Sequence, residues 1–436
     1  MNPASGISGG SRSWGWIPSV YIAEGLPYFA VNVLTVIMFT NMGMPLESMA
    51  FSTGLLYLPW VIKPFWSPFV DLIRTKRWWT LLMQLLICLS MAAVALLLPL
   101  SGSFLLILIV FWLMAFFSAT HDIAADGFYM MALDERRQAA FVGVRSTFYR
   151  IASVLGQGGV VILAGTLESR LGDIPAAWSV TFASLSALFL LIFLWDRFIM
   201  PRPVRDRPVR GVSYSMILKD FGLTFVSFFA KRHVWIAVSF MLLYRLPEAL
   251  CLKLVQPFLL DSVGAGGLGL STAQVGFANG TVGVIALLAG GVLGGVLIAR
   301  GGLRRWLWPM ALALTLPCFV YCLFAIYQPS GFALICAGLG VEQFGYGFGF
   351  TAFMLYLMYF SAGESQTSHY AFCTAFMALG MMLPGMFAGW IYNLCCRFGG
   401  LVVMEQAGYI IFFSFIMLTC TATFLSVLLV RPTLKS

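Results

Sequence analysis

Apolar runs of membrane-crossing length fill this chain almost from end to end, and no other feature constrains its fold as tightly. A helix needs about 20 mostly apolar residues to cross the hydrocarbon layer. Such runs recur along the chain with short polar breaks between them. Of the 436 residues, 60% are hydrophobic and 10% are charged. A soluble domain carries about 25% charged residues, so a water-facing globule could not bury this much apolar surface. Lipid must cover the excess, and no polar segment is long enough to form a separate soluble domain. The fold expected is an all-α polytopic membrane protein.

Runs bounded by charges, Gly and Pro give twelve expected spans. They are 16–40, 47–70, 78–99, 104–131, 139–166 and 176–198, then 234–260, 271–299, 306–327, 331–361, 369–393 and 406–430. Cytoplasmic loops accumulate Lys and Arg, which tests the count. With the N-terminus inside, the inner segments hold 19 basic residues: Arg12, Arg74, Lys76, Arg77, Arg136, Arg137, Arg197, Arg202, Arg205, Arg207, Arg210, Lys219, Lys231, Arg232, Arg300, Arg304, Arg305, Arg431 and Lys435. The outer loops hold two, Arg170 and Arg397. A missed or invented helix would scramble this alternation. Both termini are therefore expected in the cytoplasm, and the net charge of +9 reads as topology and not as a nucleic-acid surface. Met1 to Ser13 lacks the plan of a cleaved signal peptide, so the first helix is expected to act as the targeting signal.

The longest polar stretch, Asp196 to Arg232, splits six spans from six. Weak similarity relates the halves: Gly25-Leu26-Pro27 to Arg245-Leu246-Pro247, and the basic turn before Trp78 to Arg304-Arg305 before Trp306. The end of the fourth span, Met131-Ala132-Leu133-Asp134, likewise resembles that of the tenth, Met358-Tyr359-Phe360-Ser361. Two six-helix bundles, 1–199 and 233–436, joined by a cytoplasmic loop, 200–232, follow the major facilitator plan. In that plan the solute binds near the midplane between halves that rock.

Ten charged residues fall inside the spans: Lys63, Arg145, Arg150, Arg245, Lys253, Glu24, Asp122, Asp126, Glu248 and Glu342. A charge at the bilayer centre costs about 2.5–3.5 kcal/mol even on the lenient insertion scale, so these residues should face the bundle interior and mark function. Asp122 and Asp126 are four apart and share a helix face, with His121 beside them. Two carboxylates there suit proton coupling, as does Glu24 beside Gly25 and Pro27. Equally, the Asp pair could form structural ion pairs with Arg145 or Arg150 on the next helix, and Glu24 could only cap the bend. Arg245 and Glu248, three apart, should pair along their helix, either as a local bridge or towards solute. Lys253 lies about two turns beyond Arg245. Lys63 sits between Pro59 and Pro64 in a broken helix, too far from either end to snorkel easily. Aromatic residues near these charges, among them Trp60 and Tyr149, could stack on sugar rings or a nucleobase, although most membrane aromatics belong to core or interface. Glycines 338–349 and 290–295 read as close helix packing.

The stretch Phe117-Ser118-Ala119-Thr120-His121-Asp122-Ile123-Ala124-Ala125-Asp126-Gly127-Phe128 resembles the fourth-helix signature of the AmpG-type muropeptide permeases. Leu58-Pro59-Trp60-Val61-Ile62-Lys63-Pro64-Phe65-Trp66-Ser67-Pro68-Phe69-Val70-Asp71 resembles their second helix, Glu24-Gly25-Leu26-Pro27 their opening turn and Tyr149-Arg150 a pair in their fifth helix. His121 stands where that family usually has Gln. The resemblance covers residues 20–160, and the wider group includes acetyl-CoA carriers. It implies a proton-coupled secondary transporter that imports anhydro-muropeptides from periplasm to cytoplasm. By motif it carries over Lys63, Asp122, Asp126 and Arg150. Solute contacts are expected from Lys63, Arg145, Arg150, Arg245, Lys253, Glu248, Trp60, Tyr149 and His121, and proton coupling from Asp122, Asp126 and Glu24. The expected setting is a bacterial inner membrane, the expected state a monomer, and the expected partners a small solute, protons and lipid, with no cofactor. The alternatives are a carrier of another anionic solute and a multidrug exporter. No HExxH or GxxxxGK[ST] pattern occurs to suggest an enzyme, and no CxxC points to zinc.

Overall fold

The computed structural model describes residues 8–204, 206, 214–362, 366–401 and 407–434. Among them every regular element is a helix. In chain order these are α1 (Ser8–Phe29), α2 (Thr35–Asn41), α3 (Leu46–Leu55), α4 (Leu58–Leu72), α5 (Lys76–Leu97), α6 (Phe104–Ala132) and α7 (Glu135–Val154). Next come α8 (Val161–Leu171), α9 (Ile174–Ile199), α10 (Tyr214–Phe229), α11 (Val234–Leu243) and α12 (Leu246–Leu260). The chain ends with α13 (Thr272–Val275), α14 (Val284–Gly301), α15 (Leu303–Thr315), α16 (Phe319–Tyr327), α17 (Phe332–Ser361), α18 (Gln366–Leu401) and α19 (Ala407–Val430). Short π-helical turns at Ala30–Leu34, Leu155–Val160 and Gly276–Gly283 bridge α1 to α2, α7 to α8 and α13 to α14.

Ten helical stretches among the described residues are long and apolar enough to cross a membrane. Two expected spans differ from these ten. Span 47–70 breaks at Leu56–Tyr57, just ahead of Pro59, which has no N–H to continue the ladder. Span 331–361 is one 30-residue helix, α17, diluted by Glu342, Gln343 and five glycines. The stretch read as an inter-bundle loop, 200–232, contains a helix of 16 residues, α10. Charges flanking it masked its apolar residues: Phe228 is fully buried, with its ring against Phe360, Phe372 and His369.

Residues 1–34 and 62–217 form one compact unit, and residues 35–61 and 218–436 another. In the first unit, Trp16, Tyr21, Phe128 and Tyr129 join α1 to α6 in the core. Helix starts are capped as their sequences dictate. Thr75 Oγ1 accepts from Trp78 N at 3.1 Å, and an Asp134 carboxylate oxygen accepts from Arg137 N at 2.8 Å. The basic turn before α5 also ties helix ends together. Asp206 accepts from the backbone N–H groups of Lys76 and Arg77 at 2.6 and 3.0 Å, while the Arg77 guanidinium donates to the carbonyls of Arg197 and Met200.

In the second unit, α14 and α17 touch backbone to backbone. A Cβ on Gly347 would lie 2.0 Å from the Leu287 carbonyl oxygen, and one on Gly290 2.1 Å from that of Phe344. Close packing is thus the role of these glycines. Lys231, in the turn between α10 and α11, donates to the carbonyls of Phe360 and Ala362 at 2.7 and 3.0 Å. Burial lowers its pKa from the ordinary lysine value.

Candidate functional site

Two groups of charged side chains stand out, one in each unit. In the first unit, α6 runs uninterrupted from Phe104 to Ala132, so Asp122 and Asp126 project one turn apart from one face. Helix α7 supplies Arg145, whose Nη2 lies 2.9 Å from Asp126 Oδ1. Tyr21 of α1 donates its hydroxyl to the same oxygen at 3.1 Å, and the Arg145 guanidinium stacks over the Tyr21 ring at 4.8 Å. Helix α4 supplies Lys63, whose Nζ is 4.0 Å from Asp122 Oδ2. Glu24 of α1 lies in the electrostatic field of Asp122, Asp126, Arg145 and Lys63. Its Oε2 is buried and has no hydrogen-bond partner.

Gly25 explains how α1 comes so close. A Cβ there would sit 2.7 Å from Ala152 Cβ and 3.2 Å from the Tyr149 carbonyl oxygen on α7. A side chain at 25 would lever α1 off α7 and Glu24 away from the pairs. Tyr149 packs near Phe29, with ring centroids 6.1 Å apart. Arg150, the next residue, is exposed.

In the second unit, Arg245 occupies the junction where α11 ends and α12 begins, just before Pro247. Its Nε and Nη2 donate to Glu248 Oε2 and Oε1 at 2.8 and 2.7 Å, and Nη2 also donates to the Tyr346 hydroxyl at 2.9 Å. The guanidinium lies 4.7 Å from the centre of the Phe350 ring. Glu342 on α17 accepts from the Tyr321 hydroxyl at 3.0 Å and from Gln343 Nε2 at 2.8 Å. Lys253 is only 1% exposed, and its Nζ has no hydrogen-bond partner. It lies 5.2 Å from the centre of the Tyr57 ring, and Tyr57 in turn neighbours Trp60.

The BT1 family profile matches residues 22–140, the stretch holding Glu24, Lys63, Asp122 and Asp126. Over 421 residues the chain is 24% identical to an anhydromuropeptide permease of Escherichia coli K12, covering 95% of this chain and 78% of that one. A Rickettsia conorii protein named AmpG 4 is 22% identical over 348 residues, covering 77% and 80%. A bacterial homolog of the human lysosomal transporter Spinster, solved inward-facing and unoccupied, shares the fold with a TM-score of 0.71 at 14% identity, covering 97% of this chain and 96% of that one. A D-xylose-proton symporter does so with a TM-score of 0.68 at 15% identity, covering 94% and 96%. The chain is a membrane transporter with the major facilitator fold. The resemblance read from residues 20–160 stands, and these relatives and neighbours are transporters and not enzymes.

The transporter brings together Glu24, Lys63, Asp122, Asp126 and Arg145 in one unit, and Arg245 with Glu248 in the other. His121 is placed differently. Its ring is fully buried, and Nε2 lies 3.4 Å from Gln84 Nε2. Gln84 donates to Asp196 Oδ2 at 2.7 Å, and Ser19 Oγ bonds Asp196 Oδ1 at 2.5 Å. This buried polar run ties α1, α5, α6 and α9 of the transporter together. Sequence reasoning missed Asp196, because a carboxylate beside Arg197 reads as the start of a loop. It also missed Tyr346, whose hydroxyl has no signal in a helix already rich in aromatics.

Proposed function

We propose that this transporter is a proton-coupled importer of anhydro-muropeptides, working by alternating access in a bacterial inner membrane. The observation that carries the reading is the ionisable cluster of the first unit. Its residues coincide with the stretch most like the permeases, and it sets three carboxylates beside two cations inside lipid-spanning helices. Intramembrane carboxylates of this kind serve proton relays. In this reading Asp122, Asp126 and Glu24 make up the proton-coupling site. Lys63, Arg145, Arg150, Arg245 and Lys253 face the anionic groups of the solute, Glu248 holds Arg245 in place, and Trp60 and Tyr149 offer rings to its sugars. His121 belongs to the packing of α6, and this proposal gives it no solute contact. Twelve spans in two bundles, 1–199 and 233–436, joined by 200–232, complete the proposal. The two spans beyond the ten are α3 with α4, and α17. Both termini are cytoplasmic, and the protein works as a monomer.

A second reading, a carrier of another anionic solute, is favoured by Lys253. That buried ammonium suits any carboxylate or phosphate. Uptake into proteoliposomes separates the two. Labelled GlcNAc-anhydroMurNAc-tripeptide should enter under an inward proton gradient, stop on addition of an uncoupler, and stop with Asp122→Asn. Uptake that ignores the gradient would end the proton-coupled reading. Uptake of acetyl-CoA but not of the muropeptide would transfer the assignment to the second.

A further inference from the structure

Within the cluster of Glu24, Lys63, Asp122, Asp126 and Arg145, three carboxylates face two cations, and the excess falls on one residue. Lys63 faces Asp122 at 4.0 Å, and Arg145 faces Asp126 at 2.9 Å. Each cation thus has a carboxylate of its own. Tyr21 adds a hydroxyl to Asp126. Glu24 is the third carboxylate. Its neighbours in charge are two carboxylates and the two cations already matched to them. Its Oε2 is shut off from solvent and accepts no hydrogen bond.

The elements packed against α1 offer Glu24 little else. Helix α6 brings Asp122, Asp126 and Tyr129, and α7 brings Arg145 and Tyr149. Helix α9 brings Asp196, whose oxygens are already bonded by Ser19 and Gln84. An ionised oxygen buried without a donor is costly, whereas a neutral carboxyl carries no charge to solvate. Each Asp has a cation within ion-pair distance, whereas Glu24 feels the same two cations only from farther off.

We propose that Glu24 is the residue that carries the coupled proton, while Asp122 and Asp126 remain fixed in their pairs with Lys63 and Arg145. The O–H bond of the Glu24 carboxyl forms with a proton from the side of higher proton concentration and breaks to release it on the other. No other bond changes. One carrier implies one proton per solute. This inference rests on the proton-coupled reading above and sharpens it.

Two measurements test it on the purified full-length protein. The first needs no solute: infrared difference spectroscopy across a pH titration. Wild type should show the carbonyl stretch of protonated buried carboxyls at neutral pH, and E24Q should lose the part that Glu24 adds to any signal of the buried Asp196 and Glu342, while E24D shifts that part. A band that persists unaltered in E24Q, or its absence from wild type, overturns the proposal. The second uses proteoliposomes with the membrane potential clamped at zero and labelled GlcNAc-anhydroMurNAc-tripeptide as probe. With one proton per solute, one pH unit of gradient supports about tenfold accumulation, since each 1.4 kcal/mol is a factor of ten. E24Q should reduce the ratio of accumulation with and without the gradient to about one while still equilibrating solute down its own gradient, which unfolded protein would not do. Gradient-driven accumulation in E24Q equal to that of wild type refutes the role of Glu24 and leaves proton coupling standing. If wild type itself ignores the gradient, the coupled reading fails, and so does transport coupling through Glu24.

Discussion

Replacing Arg245 with Met should destabilise the second unit sharply, and replacing Glu248 with Gln in the same chain should restore part of the loss. The side chains of Arg245 and Glu248 are 10% and 14% exposed, against 31% and 41% for Arg145 and Asp126. Solvent therefore screens the first-unit pair and hardly reaches this one. Two parallel hydrogen bonds join Arg245 to Glu248, a third runs to Tyr346, and the guanidinium sits over Phe350. Removing one member of a buried pair costs about 3–5 kcal/mol, because the other charge is left uncompensated. Here the pair is local, three residues apart, and helices in micelles outlast tertiary unfolding. Part of the pairing thus survives in the unfolded state, which places the expected loss for Arg245→Met near 3 kcal/mol. What unfolding always breaks is the set of contacts to α17, namely the Tyr346 hydroxyl and the Phe350 ring. In the double variant no charge is stranded, and the loss should fall by about 1–2 kcal/mol, within the range of couplings measured inside membrane proteins. The assay is reversible unfolding in mixed micelles of dodecyl maltoside and SDS, read by tryptophan fluorescence, for wild type, both single variants and the double. Strict additivity of the single losses would refute the reasoning, since it would mean that the two residues do not depend on each other.

Other variants probe other parts of the structure. Lys253→Met removes a buried ammonium without a hydrogen-bond partner, so it should raise the thermal midpoint in detergent, by the equivalent of about 1–3 kcal/mol, and weaken uptake of an anionic solute; a lowered midpoint would show that the ammonium is well compensated. Gly347→Ala should cost at least about 1–3 kcal/mol, because the new methyl meets the Leu287 carbonyl on α14 and backbone cannot step aside, and unfolding in the same micelles reads it. Asp196→Leu strands the Gln84 amide and should cost about 1–3 kcal/mol, whereas Asp196→Asn keeps an acceptor and should cost less; equal losses for the two would deny the hydrogen-bond role.

Charge spacing foretold some contacts and not others. The pairing of Arg245 with Glu248 was legible because residues three apart on a helix are neighbours wherever that helix sits. The shared face of Asp122 and Asp126 was legible for the same reason. Which cation each Asp would take was not, since Lys63 and Arg145 come from different helices and their arrival depends on packing. His121 misled by adjacency. On a helix the next residue points about 100° away, and here that direction leads into Gln84 instead of the charged cluster. The helix α10 was hidden because loop charges on both sides outweighed its phenylalanines in any count of polarity.

Sequence alone determined that the chain lives in lipid, that its elements are helices, and that its ionisable residues inside the spans must find company. These follow from the cost of exposing apolar surface to water and charge to hydrocarbon, costs that each residue carries wherever it sits. Only the tertiary structure decided the matching. It gave Lys63 to Asp122, Arg145 to Asp126 and Tyr346 to Arg245, and among the described residues it left Glu24 Oε2 and the Lys253 ammonium without a hydrogen bond. The reason is one of distance. A local spacing fixes neighbours on one helix, whereas a partner on another is set by glycines such as Gly25 and Gly347 that govern how near two helices come.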